Sequence, residues 1–99
     1  MKPDEPRLTA DVLVVDDEQV VCQSCARILG DEGHRVTTTQ DPQEGLRLAA
    51  VGKPDVAIVD LKMPGMDGIE FLRRIKQTSP ATEVMIITGF AEIQTAVQA

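Results

Sequence analysis

The sequence predicts an α/β domain: a parallel sheet covered by helices on both faces. Three observations predict it. Short apolar, β-branched runs start at residues 11, 35, 56 and 83, and each is followed by a helix-length stretch, a spacing of about 20–27 residues that suits repeated βα units. The run VAIV at 56–59 is apolar on both sides, as a strand buried between two helix layers must be. Asp41-Pro42-Gln43-Glu44 and Asp67-Gly68-Ile69-Glu70 both read as helix starts, with an Asp cap and a Glu three residues on. Crossovers between the strands are expected to be right-handed.

The elements follow in order. DVLVV (11–15) is the first strand. In residues 18–30, Val21, Cys25, Ile28 and Leu29 recur at i, i+4, i+7 and i+8, a helical stripe that puts Cys25 in the core and Cys22 on its flank. Gly30 and Gly33 end that helix. RVTTT (35–39) is more polar and suits a sheet edge. The helix opened by Asp41 turns Leu46, Ala49 and Ala50 inward. VAIV then forms the central strand and runs into Asp60. After the cap at Asp67, Phe71, Leu72 and Ile75 mark the buried side of a third helix. EVMIIT (83–88) is a fourth strand, and FAEIQTAVQA begins a fourth helix with Phe90, Ile93 and Val97 on one face.

Residues 1–10 read as a flexible polar tail and 11–99 as one domain. That domain reads as incomplete at its C-terminal end. No glycine or basic residue closes the last helix, and the apolar run 83–88 expects a further neighbour. An unfinished sheet of this kind predicts a homodimer, segment exchange or docking on another surface. With 99 residues and only Phe71 and Phe90 aromatic, the core is aliphatic and single. The net charge of −6 speaks against unspecific binding to nucleic acid or anionic membrane. No apolar stretch approaches the ~20 residues that span a bilayer. A cytoplasmic setting is expected, and with it no disulfide between Cys22 and Cys25.

Asp60 poses the functional question, because a carboxylate at the mouth of a core strand is costly unless something uses it. Ligands of open parallel sheets bind beyond the carboxyl ends of the strands. Asp16 and Asp17 follow the first strand, Asp60 ends the third and Thr88 ends the fourth. If those strands are neighbours, the side chains share one rim. Clustered carboxylates repel one another unless a cation is present, and oxygen-only ligands at an exposed rim fit Mg²⁺. A carboxylate can also serve as nucleophile and form an aspartyl phosphate. Phosphoryl transfer mainly needs positioning and charge neutralisation.

VLVVDDE (12–18), VDLKMPGMDG (59–68) and MIITGF (85–90), in this order, resemble the receiver domain of two-component response regulators. TGFAEIQTAVQA is similar to receivers of sigma-54-dependent, NtrC-like regulators. The resemblance implies a flavodoxin-like, doubly wound sheet in the order 2-1-3-4, with the family's fifth strand and last helix absent from this chain. It implies a bacterial signalling phosphoprotein rather than an enzyme. Asp60 would accept the phosphoryl group from a histidine kinase or phosphotransfer protein. Asp17, Asp60 and the backbone carbonyl of Lys62 would hold Mg²⁺, Asp16 would act through water, and Thr88 would contact the phosphoryl group and switch an output domain. The family's phosphoryl-contacting lysine, at the end of a fifth strand, has no counterpart among the lysines present.

Other readings stand beside this one. Cys22 and Cys25 spell C-x-x-C, but a thiol redox module would place the pair at a helix start, and here they fall inside the helix. A haloacid-dehalogenase-type phosphatase would want a second Asp where this chain has Lys62. A phosphorylation-independent interaction or dimerisation module is the remaining alternative. Asp67 is expected to be only a cap, and Met63, Met66 and Met85 gap-fillers or loop contacts.

Overall fold

A computed structural model describes residues 9–63, 65–87 and 93–95 of the chain. The elements run β1 (Asp11–Val15), α1 (Gln19–Asp31), β2 (Arg35–Thr39), α2 (Pro42–Gly52), β3 (Val56–Asp60), β4 (Lys62–Met63), β5 (Met66–Asp67), α3 (Gly68–Thr78), β6 (Glu83–Ile87) and β7 (Ile93–Thr95). The main sheet has the order β2-β1-β3-β6-β7. Its first four strands are parallel and carry the expected 2-1-3-4 order of the four predicted strands. β4 and β5 form a small antiparallel hairpin closed at Gly65, whose φ of 85° suits a residue without a Cβ.

Period-two alternation sorts β1 between two cores. Leu13 and Val15 join Ala57, Val59, Val84 and Ile86 beneath α2 and α3, where Phe71 and Ile75 are fully buried. Val12 and Val14 face the opposite way and pack with Cys22 of α1. Met63 and Met66 of the small hairpin plug the end of the first core.

The fourth predicted helix is corrected at residues 93–95, which form β7, paired antiparallel with β6 from Met85↔Thr95 to Ile87↔Ile93. Backbone pairing explains the difference. β6 is apolar and lies beside β3, so its outer N–H and C=O groups require a partner. β7 supplies it, at the side where the sequence implied a missing neighbour. Phe90 and Val97, the rest of that predicted helical face, lie outside the described residues, as do 1–8 of the predicted tail.

Two helical faces also differ from the reading of the sequence. Cys22 is 4% exposed, whereas Ile28 is 58% exposed. α1 therefore presents Cys22, Cys25 and Leu29 to the sheet rather than the stripe through Ile28. The Cys22 thiol lies against strand-end carbonyls, 3.4 Å from Asp16 O and 3.7 Å from Thr39 O. In α2, Ala50 is exposed, while Gly45 is buried and Leu48 packs on the core. A Cβ on Gly45 would lie 2.8 Å from Val15 Cγ2 and 3.1 Å from Phe71 Cε2, so the glycine sets how closely α2 approaches β1.

Both capping aspartates act as expected. Asp41 Oδ1 accepts from Gln43 N at 3.1 Å, and Asp67 Oδ1 accepts from Glu70 N at 2.8 Å. Glu44 does not return to the cap. It accepts from Thr39 Oγ1 at 2.7 Å, and that hydroxyl in turn accepts from Asp41 N at 3.2 Å.

Candidate acidic site at the carboxyl edge of the sheet

The parallel register builds the site. Val15 pairs with Val59, so one step further Asp16 leaves β1 beside Asp60 at the end of β3. Asp16, Asp17 and Asp60 each offer a carboxylate oxygen, and these atoms lie within 4.8 Å of one another. The adjacent pair Asp16–Asp17 and the distant Asp60 thus converge because β1 and β3 are neighbours and end together.

Their environments differ. Asp16 is 3% exposed. Its Oδ1 accepts from Glu18 N at 2.8 Å, a turn that leads directly into α1. Its main-chain N–H donates to Thr39 O at 3.1 Å, which ties the loop to β2. Burial raises the Asp16 carboxyl above its ordinary value; the bond from Glu18 opposes this, and the negative charges of Asp60, Asp17 and Glu18 add to it. Asp17 is exposed and Asp60 half-buried. Gln40 Nε2 donates to Asp17 O at 3.0 Å and fixes the loop from the β2 side.

The loop after Asp60 is held by its backbone. Leu61 N donates to Ile87 O at 2.8 Å, and Gly68 N donates to Leu61 O at 2.7 Å. A Cβ on Gly68 would stand 3.0 Å from both Asp60 O and Leu61 Cα. Gly68 is thus what lets α3 begin against the end of β3. Neither the Gln40 anchor nor the Gly68 contact is legible in the sequence, although a glycine directly after the cap Asp67 is a faint signal of close approach.

Lys62 lies in β4, two residues beyond Asp60, with its backbone paired to Asp67. Thr88 follows Ile87, which pairs with Asp60, but Thr88 itself lies outside the described residues. The acidic members of the predicted set are therefore brought together, and the loop carrying Lys62 is held beside them. An all-oxygen cluster of this kind suits a hard divalent cation, which would relieve the repulsion that adds to the effect of burial on Asp16. The thiols present a different picture. Cys22 and Cys25 are both free, and burial followed by the Asp16 charge pushes both upward, against the lowered values that reactive thiols need.

The structure is a doubly wound α/β domain with an acidic cluster at the carboxyl ends of β1 and β3, the edge at which such sheets bind ligands. The chain belongs to the response regulator receiver domains, whose family model matches residues 12–99. It is 39% identical over 88 residues to the DNA-binding transcriptional regulator NtrC of Escherichia coli, covering 89% of this chain and 19% of that protein. It is 36% identical over 78 residues to the response regulator MprA of Mycolicibacterium vanbaalenii, covering 79% of this chain and 34% of that protein. A response regulator receiver domain protein from Clostridium thermocellum matches its structure with a TM-score of 0.76 at 38% identity, covering 80% of this chain and 64% of the other. The NtrC-like resemblance is thus borne out. The chain spans only about a fifth to a third of these curated relatives.

Proposed function

We propose that this chain is the phospho-acceptor of a two-component response regulator and that Asp60 carries the phosphoryl group. The observation that supports this most directly is the convergence of Asp16, Asp17 and Asp60 within 4.8 Å at the mouth of the central strand. Asp17, Asp60 and the Lys62 carbonyl would hold Mg²⁺, with Asp16 acting through water, and the ion would supply charge neutralisation for the transferring phosphoryl oxygens. A carboxylate oxygen of Asp60 attacks phosphorus of a phosphohistidine on a histidine kinase or phosphotransfer protein. The P–O bond forms as the P–N bond breaks, and the departing imidazole keeps the bonding pair and takes up a proton. Asp16, held by the bond from Glu18 N, would keep its carboxylate turned to the same rim. Thr88 donates its hydroxyl to a phosphoryl oxygen and draws the following loop inward, which biases the surface read by an output domain.

On this reading the domain spans residues 11–99 behind a tail at 1–10. It works in the cytoplasm as a signalling switch, without a substrate of its own and without direct contact to nucleic acid or membrane. No described helix is long and apolar enough to cross a membrane. Self-association or segment exchange is also part of the reading, although β7 already lies along the β6 edge.

Acetyl phosphate with Mg²⁺ tests the assignment. Intact mass should show one phosphate on the chain, and Asp60→Asn should abolish it. Phosphate persisting on Asp60→Asn would overturn the assignment.

A further inference from the structure

Residues 16–18 join β1 to α1, and one peptide unit among them is held from both sides. Gln40 Nε2 donates to Asp17 O at 3.0 Å, and Glu18 N donates to Asp16 Oδ1 at 2.8 Å. The accepting carbonyl and the donating N–H belong to the same peptide bond, between Asp17 and Glu18. Such a unit is planar and trans, so its two polar groups point in opposite directions. The two hydrogen bonds therefore fix the orientation of one rigid plane. They also form a chain, from Gln40 through this peptide to the Asp16 carboxylate, in which each bond polarises the next.

Gln40 is exposed, but the backbone on either side of it is anchored. Thr39 is buried; its carbonyl accepts from Asp16 N at 3.1 Å, and its hydroxyl donates to Glu44 Oε1 at 2.7 Å. On the other side, Asp41 N donates to that same hydroxyl at 3.2 Å, and Asp41 Oδ1 caps α2 by accepting from Gln43 N. Gln40 thus reaches across from a fixed base, and only its side chain must be ordered to make the bond. Its amide nitrogen must face Asp17, since a carbonyl can only accept.

Asp16 has holds that Asp17 lacks. Its N–H donates to Thr39 O, and its carbonyl lies 3.4 Å from the Cys22 thiol. Asp17 is exposed, and among the described residues the bond from Gln40 is the one hydrogen bond that it makes. The Asp17 Cα is attached to the plane that Gln40 holds. Fixing that plane limits how far the Asp17 carboxylate can turn from Asp60, with which it shares the 4.8 Å cluster.

We propose that Gln40 is a positioning residue of the cation site: by holding the Asp17–Glu18 peptide, it keeps the carboxylates of Asp16 and Asp17 turned to the rim that Asp60 occupies. It acts through the peptide and not as a ligand, in the way that outer partners orient the groups that bind a metal. The inference rests on the reading of the acidic cluster as a Mg²⁺ site.

Gln40→Met keeps the length and neutrality of the side chain and removes the donor. Calorimetric titration of the folded chain with MgCl₂ should give a Kd raised by about two- to tenfold, the range that loss of one hydrogen bond allows. A merely structural contact would not move that Kd. Amide hydrogen exchange without metal supplies a second readout: the Glu18 N–H should exchange faster in Gln40→Met, because its peptide has lost the bond on the other side. Equal Kd values for parent and variant, or a Glu18 N–H that exchanges at the parent's rate, would overturn the proposal and leave the cation site standing. A parent chain that binds no Mg²⁺ would instead overturn the cation site and, with it, this inference.

Discussion

Among single residues, Asp16 shows most directly how function sets against stability. It is almost wholly buried, yet it sits beside two other carboxylates, and burial and repulsion together raise its pKa above 3.8. An acid whose pKa is raised on folding costs nothing while protonated. Its penalty grows as pH climbs from the unfolded value through the folded one, and is complete above both. Asp16→Asn keeps an oxygen to accept from Glu18 N and removes the charge. Without Mg²⁺ it should therefore melt higher than the parent at neutral pH, and the gap should close as the pH falls to about 3.8. Melts followed by circular dichroism across that range check the sign, since the chain has neither Trp nor Tyr. A difference that persists unchanged in acid would assign the effect to packing instead.

For the secondary-structure elements, two glycines fix how helices approach the strands that carry the site. Gly45→Ala would drive a methyl group into Val15 and Phe71, and overpacking of this kind costs about 1–3 kcal/mol. Urea melts should show that loss with an unchanged slope. Gly68→Ala meets backbone rather than side chain, the carbonyl of Asp60 and Cα of Leu61. Because the end of β3 must shift, acetyl phosphate labelling of Asp60 should slow by about tenfold or more even where the fold is retained. Equal labelling rates for parent and variant would show that the α3 start does not position Asp60.

For the whole molecule, the proposed cation site in the acidic cluster ties metal binding to stability. A cation that binds the folded site and not the unfolded chain raises stability by about 2.7 kcal/mol at a hundredfold excess over its Kd. Mg²⁺ should therefore raise the melting temperature of the chain, EDTA should reverse it, and Asp17→Asn should remove most of the response. The same metal added to Asp17→Asn with full stabilisation would place the ion elsewhere.

Much of the fold and of the candidate site is legible in the amino-acid sequence alone. Alternating strands and helices, the apolar central run and the two Asp caps point to the α/β class, because periodicity and capping are local physics. The motifs around Asp16, Asp17 and Asp60 point to the candidate site for the same reason: each lies at the end of a readable strand. Other features depend on partners distant in sequence. Cys22 rather than Ile28 is buried because the sheet, and not the helix, decides which side of α1 is covered. Residues 93–95 carry a helical pattern but form β7, because the open backbone of β6 outweighs a weak local preference. Three aspartates come within 4.8 Å of one another only because β1 and β3 pair in register. Sequence determined what each segment could form and which residues could do chemistry; tertiary packing decided which faces are covered and which edge is left open, since both are settled by groups far apart along the chain.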